Sequence, residues 1–437
     1  MDKARPLAGE PGRASVRSPR VTDAGMADAD PAATRDRLTQ RAEYTQRHNR
    51  VHGRHGWVRL TPAYSVRLVR ERLAAADAAH VLDPFAGTGT TPLCCAERGV
   101  AATGADLNPF LAWLARAKTR AYGDGAIAAL ESFAGTLTPD RLTAHAPAEP
   151  PPMRKLDRWW APDALTFLRH LHTAVTGHAA NHEGGELAWV AFCRTLIAVS
   201  NARFNHPSMS LAAAGADAPA DPARHLPTFR AAVAEVARTA AETAPHAAPT
   251  IVRADTRTLP PLTNARADLL ITSPPYPNRM SYIRELRPYM FWLGYLGSGR
   301  EAAELDWASV GGTWGAATSR LRHWRAPALP PTAEAAAERV AASGHANARV
   351  LAAYIRKYAA DMAAHLHTVA PCLVPGARVH YIVGNAVFYG VVVPAETVLA
   401  ELLAEAGFRE IAVEPLRKRN SKTQLVEYAV TATRHPV

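Results

Sequence analysis

The sequence has few cysteines and no long apolar run. Only four cysteines occur in 437 residues, and none has the C-x-x-C spacing of a zinc site or belongs to a disulfide framework. A reduced, cytoplasmic setting is therefore expected. No run of about 18 apolar residues is free of charge, which argues against a membrane span. No histidine has a partner at ligand spacing, so no metal ligand is predicted.

Basic residues outnumber acidic ones, and the formal net charge is +11. This balance favours a polyanionic partner such as nucleic acid, although an Ala- and Arg-rich composition gives the same charge without one. The length predicts two or three domains, and the 48% of hydrophobic residues is ample for a core. Residues 1–45 hold almost no large apolar groups and are predicted to form a disordered tail.

A strand, loop, helix and strand follow one another in "AHVLDPFAGTGTTPLCCAERGVAATGADLNP", residues 79–109. This alternation predicts an α/β fold with a doubly wound sheet, in which the loops meet at the carboxyl ends of the strands. The predicted elements are a strand at 81–82, a tight loop at 83–89, a helix at 90–98 capped by Thr90 or Thr91, and a strand at 101–104 leading to Asp106.

The glycine loop of this unit lacks the residues that two common phosphate sites need. A dinucleotide fingerprint requires a third glycine where Pro92 stands, and a P-loop requires a lysine that the loop does not contain. The remaining candidate for this loop is a small nucleoside-like ligand that carries a carboxylate. Gly87 and Gly89 permit close backbone approach, and Asp106 can hold ribose hydroxyls. The alternative is an ordinary strand-to-helix connection, but the acid at the next strand end favours a ligand.

A second unusual stretch is "DLLITSPPYPNRMSY", residues 268–282. Its apolar run at 269–271 predicts a strand, and two prolines and a tyrosine follow at once. Because proline fixes φ and supplies no N–H, Pro274 and Pro275 predict a rigid, extended corner at the strand's end. The alternative is a turn in which these residues only pack.

Together these elements resemble the amino-group DNA methyltransferases that use S-adenosylmethionine. "DPFAGTGTT" is similar to the cofactor loop of that family, "GADLNP" to its ribose-binding element, "VRADTRTL" to the element near the adenine, and "SPPY" to its catalytic tetrapeptide. The resemblance covers roughly residues 50–120 and 250–437, with "VGNAVFYGVVVP" and "RKRNSKTQLVEY" as late elements. It implies a Rossmann-like class I methyltransferase sheet with a helical insertion.

The resemblance also implies roles for individual residues. Ser273 Oγ and the Pro274 carbonyl would accept hydrogen bonds from the target amine, so that its nitrogen can pyramidalise and attack the sulfonium methyl. Tyr276 would stack on a base flipped out of the duplex. The implied catalytic residues are Ser273, Pro274, Pro275 and Tyr276. The implied cofactor contacts are Asp83, Pro84, Phe85, Gly87, Gly89, Thr90, Asp106, Leu107, Asn108, Asp255 and Thr256.

The first position of the tetrapeptide indicates the target atom. A serine there is typical of the branch that methylates N4 of cytosine, whereas aspartate is typical of the adenine branch. Site-specific methylation of double-stranded DNA is therefore expected, with a cognate restriction or defence partner as a further possibility. The alternatives are N6-adenine methylation, methylation of an RNA or tRNA amine, and a nucleic-acid-binding module without catalysis.

Two long insertions interrupt the predicted methyltransferase domain. The first, 121–249, has helical apolar spacing, and Trp159 and Trp160 are expected in its core, with stacking on nucleic acid as the alternative. The second, 297–350, is basic. The remaining parts are a cofactor-binding part at 46–120, a catalytic part at 250–296 and a C-terminal part at 351–437.

Target recognition is expected in an insertion, because no further large domain follows the tetrapeptide. Arg320, Arg322 and Arg325 lie close to Trp324 in the second insertion. Basic residues interleaved with aromatics suit backbone and base contacts, so these arginines are predicted to bind DNA; a solvated basic loop is the alternative.

Overall fold

The fold of the chain is given by a computed structural model. It describes residues 38–59, 63–144, 146–203, 210–211, 221–243, 245–259, 266–278, 281–312, 316–420 and 424–435. Residues 1–37 of the tail predicted at 1–45 lie outside these ranges. Within its last residues, Ala42–Tyr44 forms a 3-10 helix and Tyr44 is buried, so the folded chain includes residues that the prediction assigned to the tail.

A seven-stranded sheet forms the centre of the described chain. Its order is β3-β2-β1-β4-β5-β7-β6. Neighbours are parallel except around β7, which runs antiparallel to β5 and β6. The strands are β1 His80–Asp83, β2 Ala101–Asp106, β3 Thr250–Arg253, β4 Ala267–Thr272, β5 Leu373–Gly384, β6 Phe408–Lys418 and β7 Val426–Arg434.

Helices lie between and around these strands. Those up to the third strand are α1 Gln46–Asn49, α2 Val66–Ala74, α3 Thr90–Arg98, α4 Pro109–Thr119, α5 Asp124–Thr136, α6 Pro139–Ala144, α7 Leu156–Trp159, α8 Pro162–Asn181, α9 Glu186–Ala198 and α10 Leu226–Glu242. Those after the fourth are α11 Tyr282–Trp292, α12 Gly299–Ala308, α13 Ala316–Leu321, α14 Pro331–Ala341, α15 Ala348–Val369 and α16 Ala395–Glu405.

Short elements complete the described chain. Further 3-10 helices span Gly53–Gly56, Pro222–His225, Thr256–Thr258 and Ala370–Cys372. Two small antiparallel pairs join Ala202–Arg203 to Ser210–Leu211 and Ala386–Phe388 to Val391–Val393.

Helices cover both faces of the sheet, as the alternation of side chains along each strand requires. Leu82 belongs to the core formed with α15 and α16, whereas its neighbour Val81 packs with Leu68 of α2 and Cys94 of α3. The predicted doubly wound, Rossmann-like α/β fold is therefore confirmed.

The first β–α–β unit agrees closely with the prediction. Helix α3 spans Thr90–Arg98 as expected, but its N-cap is Gly89, with φ 81°, so the prediction of Thr90 or Thr91 as the cap is wrong. A Cβ at Gly89 would lie 2.9 Å from Cβ of Ala115, which explains why the loop needs glycine there.

The first insertion folds into helices α5 to α10. Trp159 and Trp160 are 6% and 1% exposed, and Nε1 of Trp160 donates to the Leu196 carbonyl at 2.9 Å. Their expected place in the core is confirmed, and buried rings cannot stack on nucleic acid.

Among the helices that the structure describes, none combines the length and apolarity that crossing a membrane requires.

Candidate functional site

A cavity of about 900 Å³, partly open to solvent, lies where β1, β2, β3 and β4 end. The order of the sheet reverses between β1 and β4, and open α/β sheets bind ligands at such a switch point. Each of the four strands is followed by residues of the cavity wall. Its walls include Gly87, Asp106, Asp255 and Ser273.

Asp106 occupies the end of β2 and receives two backbone hydrogen bonds. Gly87 N donates to Oδ2 at 2.9 Å, and Asn108 N donates to Oδ1 at 2.8 Å. Each carboxylate oxygen keeps a further lone pair. Burial, with a contribution from the nearby Asp83 charge, raises the pKa of Asp106 to about 6. Gly87 makes this contact with φ 52°, a conformation that favours glycine.

Two of the predicted cofactor contacts do not reach the cavity wall. Asp83 is fully buried and turns into the sheet, where it accepts from Thr272 Oγ1 at 2.6 Å and from Phe85 N at 3.2 Å. Gly89 packs against α4 instead. Both residues stabilise the conformation of the loop without lining the cavity. The predicted contacts that do line the cavity are Pro84, Phe85, Gly87, Thr90, Asp106, Leu107, Asn108, Asp255 and Thr256.

An ion-pair network holds Asp255 after β3. Arg257 donates from its backbone N and its guanidinium to Asp255, with Nη2 2.6 Å from Oδ2. The same guanidinium reaches Asp361 Oδ1 at 2.7 Å and the Ala308 carbonyl at 2.6 Å. Burial opposes ionisation, but the hydrogen bonds from Arg257 lower the pKa of Asp255. The carboxylate is therefore fixed and ionised beside the cavity.

Ser273 points its proton away from the cavity. Its Oγ donates to the Ile382 carbonyl at 3.0 Å and lies 3.3 Å from Tyr276 Oη. A hydroxyl has one proton and two lone pairs, so this arrangement leaves Oγ as an acceptor. Ser273, Pro274 and Pro275 all line the cavity.

Tyr276 does not line the cavity. It is 9% exposed, and its hydroxyl donates to Glu427 Oε1 at 2.9 Å. Burial raises the pKa of Tyr276, which keeps the phenol protonated as a donor. The guanidinium of Arg419 lies 4.9 Å from its ring centroid. The predicted stacking of Tyr276 on a target base is therefore not what this arrangement provides.

Tyr282 takes the place beside the corner that the prediction gave to Tyr276. This half-buried residue lines the cavity, and its hydroxyl accepts from Tyr276 N at 3.2 Å. The sequence signal was an aromatic residue six positions further on, at the start of α11. Other wall residues missed from the sequence are Tyr64, Ile283 and residues 308–310.

The basic insertion reaches the cavity through residues 308–310, not through its predicted arginines. Arg320 pairs with Glu304, with Nη1 2.8 Å from Oε2, and lies 5.6 Å from the Trp307 ring centroid. Arg322 and Arg325 are exposed. None of the three lines the cavity.

The structure brings together one group of potential metal ligands that sequence spacing did not indicate. Ligand atoms of His55, Cys94 and Glu97 lie within 4.8 Å of one another. The Glu97 carboxylate lies 3.3 Å from His55 Nε2 and accepts from Arg70 at 2.9 Å, so it already has two partners.

These observations define a doubly wound α/β protein with a cavity at its switch point. No family model matches the sequence. No curated protein matches it either. Among solved structures, the chain matches the rRNA methyltransferase aviRa from Streptomyces viridochromogenes with a TM-score of 0.27 and 14% sequence identity, over 85% of this chain and 86% of that one. A similarity this low supports no functional conclusion.

Proposed function

We propose that the chain transfers a methyl group from S-adenosylmethionine to an exocyclic amine of double-stranded DNA, with N4 of cytosine as the preferred target. One observation carries the proposal: the Ser273 acceptor and the Asp106 carboxylate face the same cavity. A nucleoside-type cofactor and an amine held by Ser273 would meet there. The preference for cytosine rests on the serine and on the resemblance described above.

The residues present fit the cofactor. The free lone pairs of Asp106 suit ribose hydroxyls, Gly87 permits close backbone approach, and Asp255 is an ionised acceptor for an adenine amine. When bound, the cofactor supplies an electrophilic methyl group on a sulfonium sulfur.

The chain's own residues prepare the amine. Its lone pair is delocalised into the base, so it is a poor nucleophile. Ser273 Oγ and the Pro274 carbonyl would each accept one N–H, which favours a pyramidal nitrogen whose lone pair faces the methyl donor. The two prolines hold these acceptors without reorganisation. Tyr282 provides the aromatic surface on which an extrahelical base stacks.

The test is mass spectrometry of nucleosides from DNA and RNA of cells that express the chain. We expect N4-methylcytosine in DNA, and its loss when Ser273→Ala is expressed at the same level. N6-methyladenine that depends on Ser273 would move the target atom to adenine. Methylated RNA with unmodified DNA would refute the proposed substrate, and no modification of either would refute methyl transfer.

A further inference from the structure

A second cleft adjoins the cavity and has a basic wall. It has about 1180 Å³ of empty space, is open to solvent, and shares Ala63 and Thr88 with the cofactor cavity. Besides Thr88, the described residues that form it come from 46–59 and Ala63, from helices α9 and α10 of the first insertion, and from Tyr289 of α11. The sequence indicated the first insertion only as a possible place of target recognition and assigned no role to any of these residues.

Three arginines, Arg50, Arg59 and Arg194, lie on the wall of this cleft, and among the described residues no aspartate or glutamate does. The acids that act electrostatically on them are Glu285 on Arg59 and Glu235 on Arg194. Glu235 already pairs with Arg238 at 2.8 Å. Among the described residues, the wall of the cleft therefore carries more positive than negative charge.

Arg194 has an unsatisfied donor in this wall. Its Nη1 donates to the carbonyls of Gly56 and Trp57, at 3.1 and 2.9 Å, which fixes the guanidinium. Its Nε is buried and has no hydrogen-bond partner among the described residues. A buried donor without an acceptor is costly, and an anion beside the guanidinium would offset part of that cost through its charge.

Two of these arginines, Arg50 and Arg59, also interact electrostatically. Burial, and then the charge of Arg50, lower the pKa of Arg59. Burial lowers the pKa of Arg194 as well. Positive groups that are desolvated and held together favour an anionic ligand, because its charge relieves both the repulsion and the desolvation.

We propose that this cleft binds the phosphate backbone of the substrate DNA next to the target base, through Arg50, Arg59 and Arg194. The inference rests on the proposed function for the identity of the polyanion. Guanidinium groups pair well with phosphate oxygens. The side chains of Gln46 and Thr228, also in the wall, add polar groups of the kind that contact phosphates. The first insertion would then contribute to holding DNA, not to reading its bases.

Phosphate contacts do not depend on sequence, so an arbitrary duplex oligonucleotide tests the proposal without knowledge of the target site. Fluorescence anisotropy over a range of salt concentrations, without cofactor, gives the slope of log K against log salt. We expect Arg194→Gln and Arg50→Gln each to make this slope less negative by about 0.9, the value for one lost phosphate contact. Arg50 is exposed, so its variant tests the proposal even if Arg194→Gln disturbs the fold.

The matched control is Arg409→Gln, which removes one positive charge from the edge strand β6. We expect its slope to equal that of the unaltered protein. Slopes of the two cleft variants that also remain unchanged would overturn the proposal. Weaker S-adenosylmethionine binding with an unchanged DNA slope would assign the cleft to the cofactor carboxylate. A changed slope with duplex RNA but not with duplex DNA would make RNA the ligand of the cleft. Either result would overturn the proposal.

The slope is measured without methyl transfer, so its outcome is independent of the nucleoside analysis above. A changed slope together with unmodified DNA would keep the phosphate site and refute the proposed reaction. Methylated DNA together with unchanged slopes would keep the proposed reaction and refute the phosphate site.

Discussion

The hydroxyl of Tyr276 donates a hydrogen bond to the buried carboxylate of Glu427, 151 residues further along the chain, with Oη and Oε1 2.9 Å apart. Glu427 also accepts from Arg417, with Nε 2.8 Å from Oε2 and Nη2 3.0 Å from Oε1. Because Tyr276 belongs to the same corner as Ser273, these hydrogen bonds tie the corner after β4 to β6 and β7. Tyr276 is therefore a positioning residue in our proposal, and Tyr282 is the stacking residue.

The first prediction separates these two tyrosines. Tyr276→Phe removes the donor to Glu427 but leaves both hydrogen bonds from Arg417, so the free energy of unfolding should fall by about 1 kcal/mol in urea titrations. Capture of an extrahelical 2-aminopurine should change little. Tyr282→Ala removes the ring from the cavity wall and should weaken that capture by about 1–3 kcal/mol. Tyr389→Ala, at an exposed tyrosine, is the control. Loss of capture in Tyr276→Phe, with normal capture in Tyr282→Ala, would reverse the assignment.

The second prediction concerns Asp106 and pH. Burial raises its pKa in the folded protein from 3.8 to about 6, so the folded state favours the neutral carboxyl. Asp106 therefore stabilises the folded state most below pH 3.8, the pKa of the unfolded chain, and this stabilisation is lost as the pH rises through about 6. Ribose hydroxyls bind better to the ionised form. Affinity for S-adenosylmethionine should therefore fall below pH 6, by at most about tenfold per pH unit.

Asp106→Asn should weaken cofactor binding by about 2 kcal/mol at pH 8 and remove most of this pH dependence. Asp140→Asn, at an exposed acid of the first insertion, should change neither. Isothermal titration calorimetry between pH 5 and 8 measures both effects. An unchanged affinity and profile in Asp106→Asn would remove this residue from the cofactor site.

The third prediction concerns how the target sequence is read. Arg322 and Arg325 are exposed, whereas Arg320 is engaged with Glu304. We expect Arg322→Gln or Arg325→Gln to relax specificity at one base position, worth about 1–3 kcal/mol of discrimination, and Arg320→Gln to have less effect. Mapping of methylated positions across a genome provides the measurement, with Arg339→Gln, an exposed arginine of the same insertion, as the control. A uniform loss of methylation at every site, with the motif unchanged, would reduce these arginines to phosphate contacts.

Much of the fold and of the candidate site was predictable because it depends on neighbouring residues. The bounds of α3, the strand leading to Asp106 and the corner after β4 follow from local apolar runs, glycines and prolines, which restrict the backbone over a few positions. Alternation of strands and helices then required the loops after β1, β2, β3 and β4 to meet at one edge of the sheet. The sequence by itself thus determined the place of the cavity and most of its walls.

Only the tertiary structure decided which side chains face that cavity. Asp83 turns into the sheet because Thr272 donates to it from β4, and Tyr276 turns away because Glu427 accepts its proton from β7. Nothing in the pattern around these residues encodes those partners. The basic cleft likewise joins Arg50 to Arg194, which come together only when the first insertion folds. Backbone conformation is set by nearby residues, whereas side-chain orientation and charge are set by contacts between residues far apart in the chain.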